Sequence, residues 1–184
     1  MKSFGLKFWG LVLLQVILLL FIVIRYQSAL SSGTPVLLKV VPVDPRDLLR
    51  GDYVTFSYEI SNLDLTKITN QGGEYNENDT VYVRLEQGDK FWNASAIDKS
   101  FHPTTASEIW LKGRKTSNWR MPDDWNKQHI SISYGIEQFF VPEGTGMLGN
   151  SRDISVEIVV NKSGFGMIKQ VYDKDNPINL KPIK

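Results

Sequence analysis

The chain has 184 residues, and its 21 basic and 20 acidic side chains leave a formal net charge of +1. It has no cysteine, which excludes disulfides, thiol catalysis and cysteine metal sites, and only two histidines, too few for a multi-histidine metal centre. The basic residues form no stripe, so nucleic-acid binding has little support. We expect one soluble domain with an appendage, and neither a metal nor another cofactor.

The appendage lies at the N-terminus. Residues 8–24 are almost entirely apolar, and a helix of that length, at about 1.5 Å per residue, is short but sufficient for a membrane span. Lys2 and Lys7 precede this run and no acidic residue does. The positive-inside rule therefore predicts a cytoplasmic N-terminus and an extracytoplasmic C-terminal part.

A cleaved signal peptide is the alternative interpretation of the same segment. The apolar run is longer than the usual hydrophobic region of a signal peptide, about 7–15 residues, although small residues at 28–32 resemble a cleavage site. We therefore expect an uncleaved anchor. The predicted organisation is a cytoplasmic N-terminus (1–7), a transmembrane anchor (8–25), a tether (26–35) and an extracytoplasmic domain (36–184).

The remaining sequence alternates between apolar and polar residues with the period of two that predicts β-strands. A short helix is also expected near residues 62–68, where Leu63, Leu65 and Ile68 follow possible caps. The fold class is therefore mainly β: an antiparallel sandwich or partly open barrel of about eight to ten strands, with one or two short helical turns. Strands are predicted over 36–41, 54–60, 81–86, 90–97, 109–114, 130–134, 137–141, 154–160 and 165–172.

Residues 40–60 are predicted to form a strand, one tight helical turn and a second strand. Asp44 is a suitable N-cap, Pro45 suits the first helical position, and Asp47 places negative charge in the first turn. Gly51 can adopt the left-handed conformation that ends the turn.

The strand after this turn is predicted to have one buried and one exposed face. Val54, Phe56, Tyr58 and Ile60 alternate with polar residues and so belong to the buried face. Tyr53 and Glu59 are among the residues of the opposite face.

Residues 51–58, with the sequence GDYVTFSY, resemble the signature of the GDYXXLXY protein family. Phe56 stands where that family has Leu, an apolar exchange on the inner face. Residues 134–144, YGIEQFFVPEG, resemble a second segment of the family, and the resemblance extends over most of residues 36–172 and the anchor. It implies a bacterial, membrane-anchored protein that accompanies a multi-spanning membrane protein, and it implies no particular reaction.

Candidate contact residues are the charged and hydroxyl groups that capping does not explain. Capping accounts for Asp44 and Asp47, whereas a Tyr hydroxyl facing outward needs water or a partner. The acids in or beside strands are also candidates. Residues 137 and 143 are about 20 Å apart along an extended strand, which is too far for a catalytic acid–base pair unless the chain bends. The candidates are Arg50, Asp52, Tyr53, Glu59, Glu137 and Glu143.

Two classes of function remain open. The preferred one is a non-enzymatic binding or accessory subunit of a polytopic inner-membrane protein, with the β domain in the periplasm. The alternative is an envelope hydrolase, either with paired carboxylates or resembling a signal peptidase, in which a serine among Ser28, Ser31 and Ser32 acts with a lysine such as Lys39. No later segment matches the lysine base of such enzymes.

A polar loop at residues 115–128 contains Trp119, Met121 and Trp125. These side chains are either an exposed contact patch, facing a membrane surface or a membrane partner, or they fold back onto the sheet.

Overall fold

The computed structural model describes residues 2–41, 53–105, 108–116, 128–140 and 153–178. The chain divides into two compact units, Met1–Gly33 and Thr34–Lys184. Several sequence predictions lie outside the described residues. These are the helical turn with Asp44, Pro45, Asp47 and Gly51, the contact residues Arg50, Asp52 and Glu143, and the loop residues Trp119, Met121 and Trp125.

The first unit is one helix, α1 (Lys2–Ser32). Its Lys7–Ser28 part has a mean hydropathy of 2.5 and no buried share, so it is long and apolar enough to cross a membrane. The helix is therefore compatible with a single-pass anchor. Residues 26–32, predicted as a tether, continue the helix, because no glycine or proline interrupts the sequence between residues 11 and 32.

The second unit is mainly β, as predicted. Its described part contains thirteen strands, more than the eight to ten expected, because six of them have only two or three residues. The strands are β1 (Thr34–Val41), β2 (Tyr53–Thr55), β3 (Ser57–Tyr58), β4 (Asn62–Asp64), β5 (Thr69–Asn70), β6 (Thr80–Gln87), β7 (Trp92–Asp98), β8 (Ile109–Thr116), β9 (His129–Ser133), β10 (Gln138–Phe140), β11 (Ile154–Val160), β12 (Gly166–Asp173) and β13 (Asn176–Pro177), with one 3₁₀ turn at Glu59–Ser61.

Two sheets enclose the larger of the two hydrophobic clusters formed by the described residues. One has five strands in the order β13-β12-β11-β1-β3, and the other has six in the order β4-β9-β8-β6-β7-β5. All described strand pairs are antiparallel except β5 with β7. Val36 and Ile158 of the first sheet share a core with Val83 and Leu111 of the second. This arrangement agrees with the predicted sandwich or partly open barrel.

The two local hairpins are confirmed. β6 pairs with β7, and β11 pairs with β12, each across a short turn. In the second turn, Gly164 has a positive φ of 81°, which glycine adopts without steric cost. Short-range turn signals in the sequence were therefore sufficient to predict these pairs.

The predicted strand over 54–60 is interrupted at Phe56. Thr55 pairs with Gln138 of β10, whereas Ser57 pairs with Val41 of β1, so the chain changes its pairing partner at this residue. The predicted buried face is confirmed where it is described: Phe56, Tyr58 and Ile60 are all buried.

The predicted helix near residues 62–68 is wrong. Residues 62–64 form strand β4, which pairs with β9. The Asp64 carboxylate then accepts hydrogen bonds from the backbone N–H and the hydroxyl of Thr66, at 3.0 and 2.6 Å. Pairing with a distant strand and a local side-chain turn override the weak helical pattern.

Candidate functional site

The two segments that resemble the family meet in a ribbon of their own. β2 pairs only with β10 within the described chain, and neither strand belongs to the two sheets. The Cα partners are Tyr53 with Phe140, Val54 with Phe139, and Thr55 with Gln138. We call β2 and β10 the motif ribbon.

Reciprocal hydrogen bonds join the two segments at the base of the motif ribbon. The Tyr58 hydroxyl donates to the carbonyl of Ile136 at 2.6 Å, and the Tyr134 hydroxyl donates to the carbonyl of Ile60 at 2.7 Å. The backbone N–H of Phe56 donates to the carbonyl of residue 137 at 2.6 Å. Two of these contacts join residues of the two motifs, and the third joins Tyr134 to Ile60, two residues beyond the signature, so this part of the signature has a structural explanation.

Glu137, a predicted contact residue, closes the turn beside this base. Its carboxylate accepts hydrogen bonds from the backbone N–H groups of Tyr134 and Gly135, the latter at 2.9 Å. Gly135 has a φ of 77°, which is unfavourable for other residues. The side chain thus satisfies backbone donors of the turn, and this contact accounts for the carboxylate without a ligand.

The tyrosine hydroxyls of the ribbon base remain protonated donors. Burial raises the pKa of Tyr58, and the nearby charge of Glu137 raises it further. The pKa of Tyr134 is raised well above its ordinary value for the same two reasons. Neither hydroxyl is therefore suited to act as a base near neutral pH.

Glu59, another predicted contact residue, is exposed and pairs with Lys39 at 3.4 Å. More than half of each side chain is open to solvent, so the pair contributes little to stability. Lys39 is the candidate base of the signal-peptidase-like hydrolase, and its ammonium group forms an ion pair with the Glu59 carboxylate. Ser32, one of the considered nucleophiles, donates its hydroxyl to the Ser28 carbonyl of α1 at 2.8 Å.

The remaining contact residues are close in sequence to one end of the motif ribbon. Asp52 directly precedes Tyr53, and Val141 directly follows Phe140, the two residues that pair last. Arg50, Asp52, Glu143 and the side chain of Tyr53 lie outside the described part of the structure, so their roles stay predictions.

The clefts on the described part of the β domain include three that neither Glu59 nor Glu137 lines. The first, of about 320 Å³, contains Glu157 and Tyr172. The Glu157 carboxylate accepts hydrogen bonds from Lys169 and Tyr172, both at 2.7 Å. Burial alone would raise the pKa of Glu157, but these hydrogen bonds outweigh it, so the pKa is lowered.

The second cleft, of about 630 Å³, lies beside Tyr75 and His129. The Tyr75 hydroxyl donates to Asn70 at 2.8 Å and accepts from the N–H of Gly72 at 3.2 Å. Lys115 donates to the Tyr75 carbonyl at 2.6 Å. These polar groups are satisfied by one another, so they organise the loop at residues 70–76.

The third cleft, of about 460 Å³, is lined by two cations, three Ser or Thr side chains and one exposed phenylalanine, and no acid is among the described residues that line it. We call it the basic cleft. We did not predict this cleft from the sequence, although the signal was present: Lys112, Arg114 and Thr116 alternate along β8 and so share a face. The lining side chains are Thr80, Lys112, Arg114, Thr116, Ser133 and Phe165, together with Gly113, Tyr134 and Gly135.

No group of three or more His, Asp or Glu side chains within the described ranges is arranged to hold a metal ion. One described ionic cluster contains a histidine and an acid, Asp64 with Lys67 at 3.3 Å and His129 at 3.9 Å, but it combines one acid with two basic groups. That cluster has too few ligands for a structural cation site.

Comparison with known proteins gives one family. Neither the curated proteins nor the solved structures contain a match to the chain. The model of the GDYXXLXY protein family matches residues 15–171, a span that includes both motifs and the greater part of the β domain. The chain belongs to the GDYXXLXY protein family.

Proposed function

We propose that the protein is a membrane-anchored binding or accessory subunit of a multi-spanning inner-membrane protein, with its β domain in the periplasm. The motif ribbon carries this proposal. Both family segments meet there, and the folding role of Phe56, Tyr58, Tyr134 and Glu137 accounts for only one end of it. The other end leads to charged residues without a folding role that we can assign.

That end is where we place the contact with the partner. Arg50 and Asp52 precede Tyr53, and Glu143 follows Phe140, each within three residues of this terminal ribbon pair. Charged side chains of both signs favour a polar contact of defined orientation over unspecific apolar association. The apolar Lys7–Ser28 part of helix α1, in which no residue is buried, supports the membrane location, because such a surface is stable in lipid and unfavourable in water.

The contacts of the β domain give no specific support to the hydrolase. Lys39 is paired with Glu59, and the carboxylate of Glu137 binds backbone N–H groups. The two acids line none of the three clefts. We therefore propose a single function, the accessory subunit.

Cysteine cross-linking tests the contact directly, because the chain has no cysteine of its own and each introduced thiol is unique. Asp52→Cys and Glu143→Cys would be modified with a photoactivatable maleimide in intact membranes, and the adducts identified by mass spectrometry. Lys67→Cys is the matched control, since its side chain is 78% exposed and lies in the turn after β4.

We expect adducts with a multi-spanning protein from positions 52 and 143, and few or none from position 67. The same adducts from all three positions, or none from 52 and 143 in membrane-bound protein, would refute the contact. Topology is tested in the same strains: a membrane-impermeant maleimide should label Lys67→Cys in spheroplasts and Ser3→Cys only after lysis. The reverse pattern would overturn the orientation.

A further inference from the structure

The basic cleft has a regular row of polar side chains across three strands. Thr80 of β6 is the Cα partner of Arg114 of β8, which is in turn the partner of Ser133 of β9. Directly opposed residues on adjacent strands have Cβ atoms about 4.5–5.5 Å apart. Arg114 therefore has a hydroxyl side chain on each side, within reach of any group that binds the guanidinium.

A second cation stands two residues along the same strand. Lys112 and Arg114 lie on one face of β8, about 7 Å apart along the strand. The Lys112 ammonium lies 4.7 Å from the centre of the Phe165 ring, which is 52% exposed. The cleft thus combines two cations with an aromatic surface at its edge.

The turn that carries Phe165 is firmly held. The Asn161 side chain accepts hydrogen bonds from the backbone N–H groups of Ser163 and Phe165, at 2.9 and 3.0 Å. The N–H of Lys112 donates to the Gly164 carbonyl at 2.8 Å, which attaches the turn to β8. The backbone that carries the Phe165 ring is therefore held beside the two cations by hydrogen bonds within the protein.

These two cations differ from the other basic residues of the strands. Most of those have a partner within the protein, whereas no carboxylate among the described residues pairs with Lys112 or Arg114, and none lines the cleft. The partnered strand cations are Lys39 with Glu59, Arg84 with Glu86, Lys169 with Glu157, and Lys115 with the Tyr75 carbonyl.

We propose that the basic cleft binds the phosphate group of an anionic ligand. Arg114 and Lys112 supply the positive charge, the hydroxyls of Thr80 and Ser133 donate hydrogen bonds to phosphate oxygens, and Phe165 packs against the carbon skeleton of the ligand. A planar guanidinium flanked by hydroxyl donors is suited to the several oxygens of a phosphate. The phosphate belongs either to a free anion or to an anionic phospholipid headgroup, and the two sources are separable by experiment.

The test uses the full chain in dodecyl maltoside micelles and isothermal titration calorimetry. The probes are inorganic phosphate, dihexanoyl phosphatidylglycerol and, as the zwitterionic control, dihexanoyl phosphatidylcholine. The variants are Arg114→Gln and Lys112→Gln, with Lys67→Gln as a control that removes the same charge outside the cleft. Circular dichroism and the unfolding temperature verify that each variant is folded.

We expect at least one anionic probe to bind, and Arg114→Gln to weaken that binding about tenfold or more, the usual effect of removing a charged hydrogen-bond donor. Lys67→Gln should change the affinity less than twofold. Binding of inorganic phosphate identifies a free anion as sufficient, whereas binding of phosphatidylglycerol alone identifies a lipid headgroup.

Three results would overturn the proposal: no binding of either anionic probe, equal binding of phosphatidylcholine, or unchanged affinity in the folded Arg114→Gln variant. None of these measurements involves a membrane-protein partner. The basic cleft and the accessory function can therefore fail independently.

Discussion

Two buried tyrosines join distant parts of the chain through their hydroxyls. Tyr58 binds the carbonyl of Ile136, 78 residues away, and Tyr134 binds that of Ile60, 74 residues away. Both rings are at least 93% buried, so each carbonyl depends on the tyrosine for its hydrogen bond. The hydroxyls therefore hold the base of the motif ribbon against the five-stranded and six-stranded sheets.

Removal of either hydroxyl should destabilise the β domain. Tyr58→Phe and Tyr134→Phe each leave a buried carbonyl without its donor, which costs about 1–3 kcal/mol. Urea unfolding followed by near-ultraviolet circular dichroism measures the change. Tyr82→Phe is the control, because Tyr82 is also buried but its hydroxyl has no hydrogen bond within the described residues. Equal losses in all three variants would contradict this explanation.

For individual residues, the sequence predicted which side chains are buried but not what their polar atoms bind. A period of two was enough to place Phe56, Tyr58 and Ile60 inside. This period did not predict the hydrogen bond from the Tyr58 hydroxyl to the Ile136 carbonyl, because that bond depends on how distant segments of the chain meet. Glu137 was selected as a contact residue for the same reason: a carboxylate beside a strand looks alike in sequence whether it binds a partner or its own backbone.

At the scale of elements, the close approach of β8 and β9 depends on Gly113. A Cβ atom at this position would lie 2.4 Å from Cγ2 of Ile132, 3.0 Å from Cδ1 of Tyr134 and 3.1 Å from the Ser133 carbonyl. These distances are shorter than van der Waals contacts, and a backbone atom is among the neighbours. The absence of a side chain at residue 113 therefore allows the two strands to pack.

Gly113→Ala should consequently destabilise the protein by about 1–3 kcal/mol, as overpacking of a well-packed interior usually does. Thermal unfolding of the full chain in micelles provides the measurement. Arg114→Ala serves as the neighbouring control, since Arg114 is exposed and its truncation should change stability by less than about 0.5 kcal/mol. A Gly113→Ala variant as stable as the wild type would show that the strands can separate without cost.

A separate prediction concerns the pairing register of β2 and β10 in the motif ribbon. Thr55 and Gln138 are Cα partners, and directly opposed residues of antiparallel strands are within the range that a disulfide spans. The double variant Thr55→Cys/Gln138→Cys should therefore oxidise to an intramolecular disulfide with copper phenanthroline. Thr55→Cys/Phe140→Cys, shifted by two residues, should oxidise much more slowly. Electrophoresis without reductant distinguishes the two, and equal rates would contradict the register.

Elements with local partners were the ones that the sequence predicted well. The β6–β7 and β11–β12 hairpins follow from alternation on both sides of a short turn. The interruption at Phe56 and the strand β4 were missed, because their partners β10 and β9 lie about 70 or more residues away in the chain. The basic cleft was missed for a related reason: the alternation on β8 was visible, but the neighbours Thr80 and Ser133 required the sheet order.

At the scale of the whole molecule, four carboxylates link stability to pH. Hydrogen bonds from Thr66 lower the pKa of Asp64 to about 2, and hydrogen bonds from the Asn76 backbone and Lys99 lower that of Asp79. The hydrogen bond with His102 lowers the pKa of Asp98. The pKa of Glu157 is also lowered, because the hydrogen bonds from Lys169 and Tyr172 outweigh the effect of burial. In the unfolded chain such groups titrate near pH 4.

The sign of the resulting pH dependence follows from proton binding. Below about pH 4 the unfolded chain takes up protons that these native carboxylates do not yet bind, so acidification favours unfolding. The stabilisation is fully present above the unfolded pKa values and is lost as the pH falls through the native ones. We therefore expect the unfolding temperature to be nearly constant from pH 6 to 5 and to fall steadily from pH 4 to 2.

Thr66→Val tests how much of the loss of stability between pH 4 and pH 2 is due to protonation of Asp64. The variant lacks the hydroxyl that contributes most to the low pKa of Asp64, so that pKa should rise toward its ordinary value. At pH 6 the variant should then unfold at a lower temperature than the wild type, and the difference should shrink toward pH 2, where Asp64 becomes protonated in both proteins. Titration of the Asp64 carboxyl by ¹³C NMR measures the pKa directly. A difference in unfolding temperature that stays constant across this range would mean that the hydroxyl stabilises the turn independently of the charge on Asp64.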